Sequence, residues 1–207
     1  MPMFRRFTWM LMLAVLCRSG VLAAGEYNDV MNIGDQAPAW EKLPGTDGKE
    51  HSLSDLKDKD VVVVVFTCNS CPIATDYEDR LLAIAKKYCG PSERAGMVAI
   101  NVNRVEADLL PAMKVRAQEK GYTFPYLFDE TQKIAKDYGA VFTPEVFVLN
   151  KARKVVYMGG IDDNSRAADV KEHYLEPALQ AALKGEPAKP AETVARGCRI
   201  RYARERK

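Results

Sequence analysis

The chain has 207 residues, 47% hydrophobic and 28% charged, with Lys and Arg at 30 against Asp and Glu at 28. The formal charge of +2 is carried largely by the leader arginines and by the last segment, 196–207, which argues against nucleic-acid binding and leaves that basic tail as a solvated terminus. The length suits one domain with a sizeable core and demands no second.

Arg5 and Arg6 precede an apolar stretch from Phe7 to Leu16, followed by the small-residue end Val21-Leu22-Ala23-Ala24. This is a secretory signal pattern, and its apolar core is well short of the ~20 residues of a membrane helix, so no permanent membrane span is expected. The expected organisation is a signal peptide over 1–24, one domain over 25–185 and a tail over 186–207, in a protein exported to the periplasm or the extracellular space. Cleavage removes Cys17 and leaves Cys68, Cys71, Cys89 and Cys198 where disulfides persist.

Along the mature chain, Gly34 to Trp40 and the turn Gly45 to Lys49 read as a lead-in hairpin, with Ser52 to Leu56 as a short helical cap. Val61 to Phe66 is a continuous apolar run, the mark of a strand covered on both faces in a parallel or mixed sheet. Beyond it, Ile73, Tyr77, Leu81, Ile84, Ala85 and Tyr88 recur at helical intervals up to Gly90. Next come a strand at Met97 to Val102, a helix at Ala107 to Lys120, a strand at Phe124 to Phe128 and a helix at Thr131 to Tyr138. Glu145 to Leu149 and Lys154 to Tyr157 form an antiparallel hairpin, and a last helix runs from Arg166 to Leu183. The fold class is α/β, with a central mixed sheet flanked by helices. Asp162-Asp163-Asn164-Ser165 reads as a turn and helix cap rather than a calcium loop.

Between the first long strand and its helix stands Cys68-Asn69-Ser70-Cys71. Thiols at this spacing on a first helical turn can meet as a disulfide, and a helix N-terminus favours the thiolate. The same spacing can be half a zinc site, but a second C-x-x-C or a paired histidine motif is missing, and His51 and His173 stand alone. Neither a metal nor a cofactor is therefore expected.

The segments Phe66-Thr67-Cys68-Asn69-Ser70-Cys71-Pro72, Phe124 to Glu130, Tyr138-Gly139-Ala140, Thr143-Pro144-Glu145-Val146-Phe147-Val148 and Gly197-Cys198-Arg199-Ile200, in that order, resemble the thioredoxin superfamily, and within it the exported redoxins of AhpC/TSA type. The resemblance implies a thioredoxin-like fold and a thiol:disulfide oxidoreductase acting on protein thiols or disulfides, with an electron donor or acceptor that no residue identifies. It implies Cys68 as the more exposed nucleophile, Cys71 as the buried resolving thiol, and a cis Thr143-Pro144 bond facing both. Two other activities stay open: a thiol peroxidase using Cys71, and copper handling by the two cysteines with His173.

The chain departs from the family at two points. Val61 to Val65 supply no buried acid before the first cysteine, which makes Glu145 the candidate proton acceptor for Cys71, against the alternative of a solvent-facing strand residue. Pro72 disfavours helical geometry at Cys71, so the helix is expected to start one residue late. Cys198, among arginines that favour its thiolate, is either an auxiliary redox thiol near Cys71 or a structural partner of Cys89.

Overall fold

A computed structural model describes residues 25–203, so the expected leader over 1–24 lies outside the described residues. In chain order the elements are a hairpin of β1 (Leu43–Pro44) and β2 (Glu50–His51), β3 (Val61–Phe66), α1 (Pro72–Tyr88), β4 (Ala95–Asn101), α2 (Leu110–Lys120), β5 (Tyr126–Phe128), α3 (Lys133–Asp137), β6 (Phe142–Thr143), β7 (Glu145–Leu149), β8 (Val155–Gly159), α4 (Leu175–Lys184) and β9 (Cys198–Arg199). One five-stranded sheet runs β5-β4-β3-β7-β8, parallel across the first three strands and antiparallel across the last three.

The valine run lies at the centre of this sheet because it has no polar face to give to water. Val61, Val63 and Val65 pack with Tyr77, Leu81 and Ile84 of α1, Met113 of α2 and Leu179 of α4. Val62, Val64 and Phe66 face the other layer, with Trp40, Ile134 of α3, Tyr138 and Phe147. Each buried valine contributes roughly 1.5–3 kcal/mol relative to exposure. The mixed sheet with helices on both faces is the expected thioredoxin-like architecture.

Two helices start later than helical periodicity suggests, for one shared reason. A proline ring clashes with the carbonyl four residues earlier in a continuous helix. Pro111 therefore bars a helix through Ala107, where a separate 3-10 turn, Glu106–Asp108, forms instead and Leu109 is extended. Pro177 likewise bars a helix through His173, so α4 begins at Leu175 rather than Arg166. The intervening loop is ordered by Asp163, whose carboxylate accepts the N–H of Lys171 at 2.9 Å and of Glu172 at 3.2 Å.

The lead-in also differs from expectation. Only the Gly45 to Lys49 turn closes a hairpin, β1 with β2. The Gly34 to Trp40 segment instead runs to the β8 edge, where Gly34 N–H donates to the Val155 carbonyl at 2.8 Å and Ala37 N–H to the Arg153 carbonyl at 2.8 Å. The basic tail, expected as a solvated terminus, is instead part of the fold. It returns as β9, antiparallel to β6, pairing Thr143 with Cys198.

Candidate active site

Strand β3 delivers the chain to Cys68, and Pro72 sets the geometry of the turn into α1. Proline suits the first helical position, where its missing N–H has no partner to lose, and its ring drives the preceding residue out of the helical region. Cys71 accordingly has φ −94° and ψ 113° and caps α1. Its Sγ occupies the place usually held by a Ser or Asp oxygen, accepting the Ala74 N–H at 3.3 Å. A further N–H, from Cys198, points at the same sulfur at 3.4 Å. When protonated, Cys71 donates to the Thr143 carbonyl at 3.1 Å.

Cys68 sits 3.3 Å from Thr143 Oγ1 and 3.9 Å from Ser70 Oγ. The Thr143-Pro144 bond is cis, as expected. Cys68 and Cys71 are 3% and 1% exposed, so the expected contrast between an exposed and a buried sulfur does not appear. What separates them is charge stabilisation. The Cys68 thiol donates to Cys71 and lowers its pKa to about 5, against burial, with further help from the Cys198 thiol and the Ala74 and Cys198 N–H groups. The Cys68 pKa is pushed up, first by giving its proton to that bond and then by burial. The pair thus releases one proton early and holds the other tightly.

The loop between the cysteines is clamped by the 3-10 turn at residues 106–108. Asp108, fully buried, accepts the Ser70 N–H at 2.8 Å and the Ser70 hydroxyl at 2.6 Å. Asn69 donates to the Ala107 carbonyl at 2.9 Å and accepts from the Tyr126 hydroxyl at 3.1 Å. Asp108 escapes a reading by spacing because it lies thirty-eight residues from Ser70. Only the polar pair Asn69-Ser70 between the two cysteines signals the need for such a partner.

The AhpC/TSA family matches residues 33–158, more than half of the chain. The chain belongs to the AhpC/TSA family. Thiol-disulfide oxidoreductase ResA of Bacillus thuringiensis (strain Al Hakam) is 31% identical over 128 residues, covering 61% of this chain and 68% of that protein. Among solved structures, an uncharacterized conserved protein from Geobacillus kaustophilus is 34% identical with a TM-score of 0.79, over 86% of this chain and 96% of its own. A hypothetical protein from Sinorhizobium meliloti 1021 is 30% identical with a TM-score of 0.77, over 85% of this chain and 97% of its own. The expected redoxin of the thioredoxin superfamily, a thiol:disulfide oxidoreductase, agrees with these relatives.

In this AhpC/TSA protein Glu145 is 6% exposed, so it is not a solvent-facing residue. Its neighbour Val146 faces the α1 layer, which turns Glu145 to the opposite side, where Oε2 accepts the N–H of Val141 at 2.8 Å and Phe142 at 2.9 Å. It holds the approach to β6 in shape. Burial raises its pKa, and these two N–H groups oppose the rise. We expect Glu145→Gln, which keeps an acceptor for this turn, to leave the pH profile of disulfide exchange unchanged; a shifted limb would restore the proton-acceptor role.

Cys198 lies beside Cys71 and not beside Cys89. Cys89 caps the far end of α1, a helix of 17 residues and so about 25 Å long, well beyond disulfide reach of a residue at the Cys71 end. Burial pushes the Cys89 thiol up to about 12. The expected cationic activation of Cys198 is also reversed, because burial and its bond to Cys71 outweigh Arg201 and raise its pKa to about 11. His173 lines a cleft with Arg80, Ile84 and Glu176. That cleft lies along α1, away from the sulfurs at its start, so the two cysteines and His173 form no copper-binding group.

Proposed function

We propose that this protein is an exported thiol:disulfide oxidoreductase that exchanges a Cys68–Cys71 disulfide with cysteines of other exported proteins. The observation that carries the reading is the pair itself: two buried thiols sharing a proton, with Cys71 at the positive end of α1. The signal pattern over 1–24 supports export, and no helix among the described residues is long and apolar enough to cross a membrane.

In the reducing direction we exchange the roles expected for the two cysteines: the Cys71 thiolate, which accepts the Ala74 and Cys198 N–H groups, attacks one sulfur of a target disulfide, forming a mixed disulfide and releasing the other target sulfur as a thiolate that takes a proton. Cys68 then attacks the Cys71 sulfur. The Cys68–Cys71 bond forms, the Cys71–target bond breaks, and the Cys68 proton goes to the departing target sulfur. The reverse sequence oxidises a target dithiol. Thr143 flanks both sulfurs, its hydroxyl at Cys68 and its carbonyl at Cys71, and Pro144 leads from it into β7.

Differential alkylation with mass spectrometry across glutathione buffers tests this reading on residues 25–207. The expected result is a reversible Cys68–Cys71 disulfide; a midpoint at or below about −250 mV marks a reductase and one near about −120 mV an oxidant. Failure of these two cysteines to pair under any buffer overturns the reading. The capping position of Cys71 also favours a second activity, attack of its thiolate on hydrogen peroxide. That gives a sulfenic acid and hydroxide, after which Cys68 expels water and forms the same disulfide. Stopped-flow mixing of the reduced protein with hydrogen peroxide measures it directly.

A further inference from the structure

The edge of β6 next to the cysteines is already occupied by this chain. Thr143 pairs with Cys198 in antiparallel register, the Cys198 carbonyl accepts the Thr143 hydroxyl at 3.4 Å, and the Cys198 N–H points at Cys71 Sγ. Both members of the pair are buried, whereas Cys198 is half-buried and reaches the surface.

The tail is built into this position rather than laid over it. Ile200 is 6% exposed and its N–H donates to the Val141 carbonyl at 2.8 Å. Arg201 N–H donates to Asn103 Oδ1 at 3.0 Å, the Tyr202 hydroxyl to the Ala140 carbonyl at 2.6 Å, and Ala203 N–H to Gln132 Oε1 at 2.7 Å. Gly197 makes the approach possible, since a Cβ there would stand 2.0 Å from the Thr143 carbonyl oxygen and 3.1 Å from the Pro144 nitrogen. Any side chain at 197 must push the tail off β6.

We propose that Cys198 is a third redox thiol that takes the disulfide over from the buried pair, forming a Cys71–Cys198 bond through which the site exchanges with thiols outside the protein. The inference rests on the Cys68–Cys71 switch proposed above. Starting from the oxidised pair, Cys198 sulfur attacks Cys71 sulfur, the Cys71–Cys198 bond forms and the Cys68–Cys71 bond breaks. The proton lost by Cys198 passes to Cys68, so the step moves a disulfide with no net oxidation. An external thiol then attacks the half-buried Cys198 sulfur, making a mixed disulfide and returning Cys71 as a thiolate, and a second external thiol attacks the external sulfur of that bond, forming the external disulfide and releasing Cys198 as a thiol. Two electrons enter and one disulfide leaves.

The test uses residues 25–207 with reduced glutathione as the external thiol. Oxidised Cys68→Ser protein, mapped by peptide mass spectrometry without reduction, is expected to contain the Cys71–Cys198 linkage. Cys198→Ser is expected to form the Cys68–Cys71 disulfide still, but to be reduced by glutathione at least tenfold more slowly. Gly197→Ala keeps all three thiols and is expected to show the same slowing, a result that loss of a bystander thiol does not produce. Absence of the Cys71–Cys198 linkage in Cys68→Ser, or glutathione rates in Cys198→Ser and Gly197→Ala equal to the unsubstituted protein, overturns the relay. Failure of Cys198→Ser to form a Cys68–Cys71 disulfide overturns instead the switch on which it rests.

Discussion

Reduced protein is expected to remain reactive toward iodoacetamide down to about pH 6, and Cys71→Ser is expected to lower that acid-stable reactivity about a hundredfold. The reason is the ionised fraction. An ordinary cysteine with pKa about 8.5 is about 3% thiolate at pH 7 and loses about tenfold per pH unit below that. Cys71, with its pKa lowered to about 5, is nearly all thiolate at pH 6. At neutral pH its advantage as an attacking group is smaller, because nucleophilicity falls as the pKa falls, but in the oxidising direction a low pKa makes it the better leaving group when a second target thiol displaces it from the mixed disulfide. The contrast is therefore greatest in acid. A wild-type rate that falls tenfold per unit between pH 7.5 and 6 would show that Cys71 is an ordinary thiol.

The same pair sets the sign of a stability effect in the reduced protein. The lowered Cys71 pKa contributes stability that is present above the unfolded thiol value and lost as pH falls through about 5. The raised Cys68 pKa contributes stability present below the unfolded value and lost as pH rises beyond it. Taken alone, the pair makes the reduced fold most stable near the ordinary thiol pKa.

Arg80→Met is expected to cost about 3–5 kcal/mol, the range for leaving a buried charge without its partner. The Asp162 side chain is 1% exposed and pairs with the Arg80 guanidinium, which is itself 18% exposed. That guanidinium also donates to the carbonyls of Asn164, at 2.9 Å, and Ser165, and stacks on the Tyr77 ring at 3.9 Å. One side chain thus ties the middle of α1 to the loop that leads to α4. Methionine keeps most of the apolar stem but leaves the carboxylate without a cation. Urea unfolding of Arg80→Met and of Arg80→Met with Asp162→Asn measures the effect, the second variant recovering part of the loss because the buried charge is gone. A loss below about 1 kcal/mol in the single variant would mean that water screens the pair as it does at an open surface.

Much of the frame was written in short stretches of sequence. A run of valines can only be a strand with both faces covered, and Val61–Phe66 is that strand. The Glu145–Leu149 strand is found at its expected bounds, and the amphipathic period after Pro72 marked α1. The cap at Cys71 was legible too, because proline acts on the residue directly before it. Pro111 and Pro177 carried an equally local message about helix starts, which hydrophobic periodicity obscured.

The chemistry of the site was decided elsewhere. Which sulfur is the acid depends first on the Cys68 thiol donating to Cys71, and then on the Cys198 thiol and the N–H groups of Ala74 and of Cys198, a residue 127 positions further along the chain than Cys71. Asp108 enters the site through a turn packed under the cysteine loop, and Glu145 leaves it because strand alternation turns that side chain to the other face of the sheet. Proline sterics and side-chain periodicity act over a few residues and are determined by sequence alone. Thiol acidity and the company of Cys198 depend on burial and on groups brought together by the return of the tail to β6, and only the tertiary structure decides those.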